Sequence, residues 1–147
     1  MKTIHQLAGL LIFIIFLLMG GYMRFRVHHL MEASDRLRFS LRGNHIYTLW
    51  AALLNLTLGS YLKIKASGWR AKLQLAGSLL VLLASALVII SFFFESKYSP
   101  ERPITLAAVV CALTGTFSHC ISTLKDQSGS VAAQSEKAKA QAGSVTH

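Results

Sequence analysis

The chain has 147 residues, of which 53% are hydrophobic and only 14% are charged, and its mean hydropathy is +0.49. A water-soluble domain of this size is about a quarter charged, and it needs that polar surface to meet water. The composition therefore argues against a soluble globule and makes the bilayer the expected solvent. Fifteen Lys and Arg against six Asp and Glu give a net charge of +9, but the excess lies between apolar runs, a pattern that fits anionic lipid headgroups and not nucleic acid.

Crossing about 30 Å of hydrocarbon takes roughly 20 apolar residues. Four segments meet that length, at about 4–23, 44–62, 73–94 and 104–124, and they predict an all-α integral membrane protein, a four-transmembrane-helix up-down bundle occupying residues 1–124. The first has the core LAGLLIFIIFLLM and no charge from Gln6 to Met23. A cleaved signal peptide is the alternative there. Gly20, Gly21, Tyr22 and Met23 make no A-x-A site, however, and Arg24 and Arg26 follow at once, so the segment reads as an uncleaved span.

The first connection, 24–43, is long. Val27, Leu30, Met31, Ser34, Leu37 and Leu41 recur at helical spacing, which suggests an interfacial helix with arginines reaching phosphates; a plain solvated loop is the competing reading. From Leu37 to Arg42 the order L-R-F-S-L-R also alternates strictly, as a short extended piece would. The second connection, KIKASGWRAK, is short and basic, and its Trp69 joins Tyr22, Tyr47, Trp50, Tyr61 and Tyr98 in an aromatic belt. Pro103 is placed to open the fourth helix at its first turn. Residues 125–147 are small and polar without apolar periodicity, and they read as a disordered tail.

Four spans put both termini on one side. Seven Lys and Arg fall on the side holding the first and third connections, here side A, and eight on the opposite side B. That near-equality gives the positive-inside rule little to act on; the heavier flank after the first helix weights side A towards the cytoplasm of a bacterial inner membrane.

Lipid gives helices no hydrophobic reason to associate, so small and hydrogen-bonding residues mark buried faces. His45, Thr48, Ala52, Asn55 and Gly59 form one seam on the second span, while Ala107, Cys111, Gly115 and His119 stand four apart on the fourth, beside a ridge of Ala108, Ala112, Thr116 and Cys120. Parallel second and fourth helices would set Asn55 level with Gly115, bonded to Thr114, Thr116 or a backbone carbonyl. Side A gathers His28 and His29 at the end of the first span, Arg42 and His45 at the start of the second, Glu95 at the end of the third, and Glu101 and Arg102 before the fourth. The expectation is an ion-pair ring of Arg42, His45, Glu95 and Arg102 holding helix ends and headgroup phosphates. A transition ion on His28, His29, His45 and Glu95 is the sharper reading, but no H-x-x-x-H or E-x-x-H pair fixes two ligands on one face. Haem bridging needs two histidines at one depth; His45 and His119 differ by about 22 Å, which leaves His28 or His29 with His45, or His5 with His119.

Three function classes follow. A proton-coupled exporter needs a titratable carboxylate within the bilayer, and none of the four runs contains one. An interfacial enzyme using Arg42, Asn44 and Tyr47 on an anionic group lacks a nucleophile and base at recognisable spacing. A non-catalytic bundle without a cofactor, with membrane lipid, another membrane protein or a second copy as partner, requires nothing the chain lacks and is the first expectation. A metal- or haem-binding redox protein and an interfacial enzyme stand as the alternatives.

Overall fold

The computed structural model describes residues 1–27, 35–61, 68–98 and 101–122, and every regular element among them is helical. Helix α1, Lys2–Tyr22, runs into a single π-helical turn, Met23–Val27. Helix α2 is Asp35–Tyr61 and α3 is Trp69–Tyr98. Helix α4 is Pro103–Ser122. His28, His29, Leu30, Met31 and Ser34, the second connection through residue 67, and the tail from 123 onward lie outside the described residues.

Among the described residues three stretches are long and apolar enough to cross a membrane: Lys2–Phe25, Trp69–Glu95 and Pro103–Ser122. Helix α2 is not among them, although its 27 residues would extend about 40 Å. The second expected span lies within a longer helix. The helix starts at Asp35 and not near residue 44, so it takes in Arg36, Arg38 and Arg42 and then Asn44, His45 and Asn55, which dilute its apolar character. The alternating stretch from Leu37 to Arg42 is helical and not extended. Its leucines have a use: Leu41 is buried with Met19 and Phe92, and Leu37 packs against the same cluster.

Each helix pairs with the next. Across α1 and α2, Gly59 lies against Gln6, a Cβ on Gly9 would meet Leu56, and Gly20 faces His45, so numbers rise on one helix as they fall on the other. Asn55 meets Ser85 between α2 and α3, and Ser78 meets His119 between α3 and α4. All three pairs are antiparallel. The buried residues keep to a 3-4 alternation: Gln74, Ser78, Val81, Ser85, Val88, Phe92 and Glu95 on α3, and Thr105, Ala108, Ala112, Gly115, His119 and Ser122 on α4. A 3.5-residue period holds one seam towards a neighbour, as left-handed helix packing requires.

The local starts are legible. Gly68 has φ +95°, a conformation that costs glycine little, and its carbonyl accepts from the amides of Ala71 and Lys72 to begin α3. Pro103 opens α4 in the first turn, where its missing N–H is no loss. At the α3–α4 crossing, a Cβ on Gly115 would lie 2.7 Å from the Gly77 carbonyl oxygen, and one on Gly77 would lie 2.8 Å from that of Gly115. Backbone cannot step aside as a side-chain tip can. Gly115→Leu is therefore expected to destabilise the protein by about 1–3 kcal/mol through overpacking, whereas Leu83→Ala, at a half-exposed position, should cost much less. Unfolding curves in detergent compare them.

Candidate functional site

Polar side chains collect inside the helices in two zones. In the first, Asn55 on α2 is fully buried and joins three helices. Its Nδ2 donates to Ala51 O at 2.9 Å on its own helix and to Ser85 Oγ at 2.7 Å on α3, while Oδ1 is 2.8 Å from His5 Nδ1 on α1. Since a backbone carbonyl only accepts, the amide orientation is fixed. Oδ1 must face His5, so His5 Nδ1 carries a proton, and in the neutral form of the ring the lone pair is on Nε2. That nitrogen is buried and makes no hydrogen bond. Ser85 completes the chain of bonds by donating to Val81 O at 2.9 Å.

This differs from the expected partnership of Asn55 with Thr114, Thr116 or the backbone beside Gly115. The count along the parallel helices gives the right depth, but α3 supplies the neighbour at that depth. Thr116 donates to Ala112 O on its own helix, and Gly115 packs on Gly77. Thr48 and Ala52 are fully buried, Thr48 donates to Asn44 O at 2.8 Å, and Gly59 lies against the backbone of Gln6. On α4 the expected ridge is rotated: Ala107 is exposed and Cys111 half-buried, while Ala108 and Ala112 face inward with Gly115 and His119. A strict four-residue step drifts about 40° around the helix each time, so such a ridge winds off the contact face. Below Asn55 towards side B, Ser78, His119, Gln74 and Ser122 are buried, with Ser78 Oγ 3.3 Å from His119 Nε2.

The second zone lies at the opposite ends of the helices. Glu95 is 3% exposed, yet among the described residues it pairs with neither Arg42 nor Arg102. Its carboxylate accepts from the amide of Ile104, from Thr105 N at 3.0 Å and from Thr105 Oγ1 at 2.5 Å. The expected ion-pair ring is corrected for a physical reason. The first turn of α4 has orphan N–H groups and the positive end of a helix dipole, and the first of these N–H groups that Glu95 meets is nine residues further along the chain. Glu95 thus caps α4 from the preceding helix. Arg102, at φ +52°, instead donates to Asn44 Oδ1 and lays its guanidinium against Gly43. Arg42 is exposed. His45 stacks on Phe16 of α1, with ring centroids 4.1 Å apart and planes at 14°. Among the described residues no three His, Cys, Asp or Glu side chains come together as a metal cage, and the candidates His28 and His29 are outside them.

In the sequence His5 stands out only as a haem partner for His119, and Ser85 does not stand out at all. Their signal was periodicity: His5, Gly9, Ile12 and Met19 share one face of α1, and Ser85 stands seven residues from Ser78 on the seam of α3. Compared with protein families, curated proteins and solved structures, the chain matches none.

Two outcomes follow. Asn55→Leu strands Ser85 and the His5 Nδ1 proton together, and should cost about 1–3 kcal/mol in detergent unfolding, against less than about 0.5 kcal/mol for Thr57→Val on an exposed face. Glu95→Gln turns an acceptor oxygen into an NH2 aimed at N–H donors, so its melting temperature should fall, while Glu101→Gln, at an exposed position, should melt like wild type.

Proposed function

We propose that the chain is a small multi-pass protein of a bacterial inner membrane, a four-helix up-down bundle that acts without catalysis by holding another membrane protein or a second copy and by organising lipid. One observation carries this reading: the division between an apolar outside and a mutually bonded polar inside. Leu7, Leu11 and Leu18 on α1, Leu79 and Leu83 on α3, and Val110 and Phe117 on α4 are all exposed, as a surface facing lipid would be. The inner hydroxyls of Thr48, Ser85, Ser91 and Ser122 donate to carbonyls of their own helices. Hydrocarbon provides no water to satisfy such groups, so internal bonding is what bilayer residence demands.

The same division supports a place for α2 in the bundle despite its composition. Asn44, Thr48 and Asn55 have no exposed surface, while Ile46, Trp50 and Leu53 are turned outward, so its polar atoms are shielded by α1, α3 and α4. Ser78 and His119 resemble a nucleophile beside a base, but Ser78 is only 1% exposed, which closes it to substrate and favours the non-catalytic reading.

A second reading, a metal-binding membrane protein, has one observation in its favour, the His5 lone pair. A ligating histidine typically has its other ring nitrogen held by a carbonyl, the relation His5 Nδ1 has with Asn55 Oδ1.

Reporter fusions at both termini test the bundle: the same compartment for each is expected, and opposite compartments would remove one crossing. Purification in mild detergent with metal analysis separates the two readings. Metal-free protein that retains a co-purified membrane protein, a second copy or lipid supports the first; stoichiometric metal lost in His5→Ala replaces it with the second.

A further inference from the structure

We infer that the outward face of α2 on side A is a docking surface for anionic phospholipid, with Arg38 and Arg42 at the phosphate layer and acyl chains against Ile46, Trp50 and Leu53. The inference deepens the lipid-organising part of the proposed function and rests on the membrane reading.

The face is continuous, and its character changes once along its length. Arg38, Arg42, Ile46, Trp50 and Leu53 follow one another at steps of four and three, which keeps them on one side of a helix. All five are exposed, opposite the buried Leu41, Asn44, Thr48 and Asn55. The two cations stand together at the side-A end, and the three large apolar side chains continue the row towards side B. Leu37 and Leu41 pack with Met19 and Phe92, so the turn that carries the arginines is held against the bundle.

Depth along the helix matches a phospholipid from its phosphate inward. The apolar stretches of α3 and α4 end on side A at Glu95 and Pro103, and Arg102 bonds Asn44, so on the membrane reading Asn44 stands close to the hydrocarbon edge. From Asn44, Arg42 and Arg38 project about 3 and 9 Å outward, while Ile46, Trp50 and Leu53 lie about 3, 9 and 14 Å inward. The headgroup layer begins at that edge and is about 5–8 Å thick, within reach of both guanidinium groups. Phe39, 77% exposed beside them, suits the same boundary, where an aromatic ring is covered by lipid and not by water.

Charge selects the headgroup. Like charges one turn apart on a helix repel, so an anion shared between Arg38 and Arg42 is favoured. The acid nearest to both along the chain is Asp35, which is seven residues from Arg42, and no Asp or Glu follows it on α2. Glu95 is engaged by the amides of Ile104 and Thr105, and Glu101 adjoins Arg102 in the chain. A phosphate diester fits guanidinium in geometry and in charge. Every phospholipid offers one at this depth, but a choline cation offsets it, so a net anionic headgroup is preferred to a zwitterionic one.

Trp50 lies on this face and reports on it. With Trp69→Phe it is the only tryptophan left, and the full-length protein with that change is reconstituted in equal mixtures of phosphatidylglycerol and phosphatidylcholine, one of the two brominated in its acyl chains. Brominated phosphatidylglycerol is expected to quench Trp50 more than brominated phosphatidylcholine does, with a relative affinity of about fivefold, and the difference should shrink as salt is raised. Arg42→Gln should remove most of that preference, and Arg38→Gln together with Arg42→Gln all of it. Lys72→Gln, the same charge change at an exposed position near the other end of the bundle, should leave it unchanged. Circular dichroism checks that each variant keeps its helices; where one does not, the protein with both arginines and the salt series decide. Equal quenching by the two lipids with both arginines present, a preference that survives the double change, or one lost equally in Lys72→Gln would each overturn the docking surface while leaving the membrane reading intact. Absence of quenching by either lipid would instead take α2 out of the bilayer, and the surface with it.

Discussion

The amide of Asn55 is the interaction on which the arrangement of the helices most depends. One side chain bonds to its own helix, to Ser85 on α3 and to His5 on α1, so it sets the relative depth of three helices at once. Apolar contacts cannot do this in a bilayer, because lipid tails are as apolar as leucine and sliding by a turn changes little. A hydrogen bond has a direction and a length, and it fixes register. The same network places a proton on His5 Nδ1 and leaves the buried Nε2 without a hydrogen bond.

Depth having been fixed at Asn55, lateral approach is set by missing side chains. Gly9 and Gly59 bring α1 and α2 together, and Gly77 and Gly115 bring α3 and α4 to backbone contact. Hydroxyls around these crossings mostly donate to carbonyls four residues earlier, as Thr48, Ser85 and Ser118 do. That habit satisfies the hydroxyl without a partner helix, so serine and threonine add little specificity here, while Asn55, His5 and Glu95 supply most of it.

The side-A end solves another problem. Helix α3 ends at Tyr98 and α4 begins at Pro103, so one helix must end and another begin within a few residues. Glu95 meets the need by capping α4 through its carboxylate, which places a negative charge at the positive end of a helix dipole. Arg102 bonds to Asn44 instead. An expected ring of salt bridges becomes a cap and a separate cation.

How much was legible in the sequence follows the range of the forces involved. Apolar length, the helical class, the opening of α4 at Pro103 and the burial of Thr48, Ala52, Asn55 and Gly59 are local or periodic properties, and residue order alone carries them. Helical spacing of Leu37 and Leu41 is visible in the sequence, but their union with the second span in one helix from Asp35 is not, because these leucines find Met19 and Phe92 only once α1 and α3 are in place. The inward row of α4 was misjudged by counting fours where the contact face follows alternate threes and fours. Which helix stands opposite Asn55, and whether Glu95 meets an arginine or a helix end, was decided by tertiary structure alone. A polar side chain announces that it needs a partner; only the packed chain determines which donor or acceptor arrives within 3 Å.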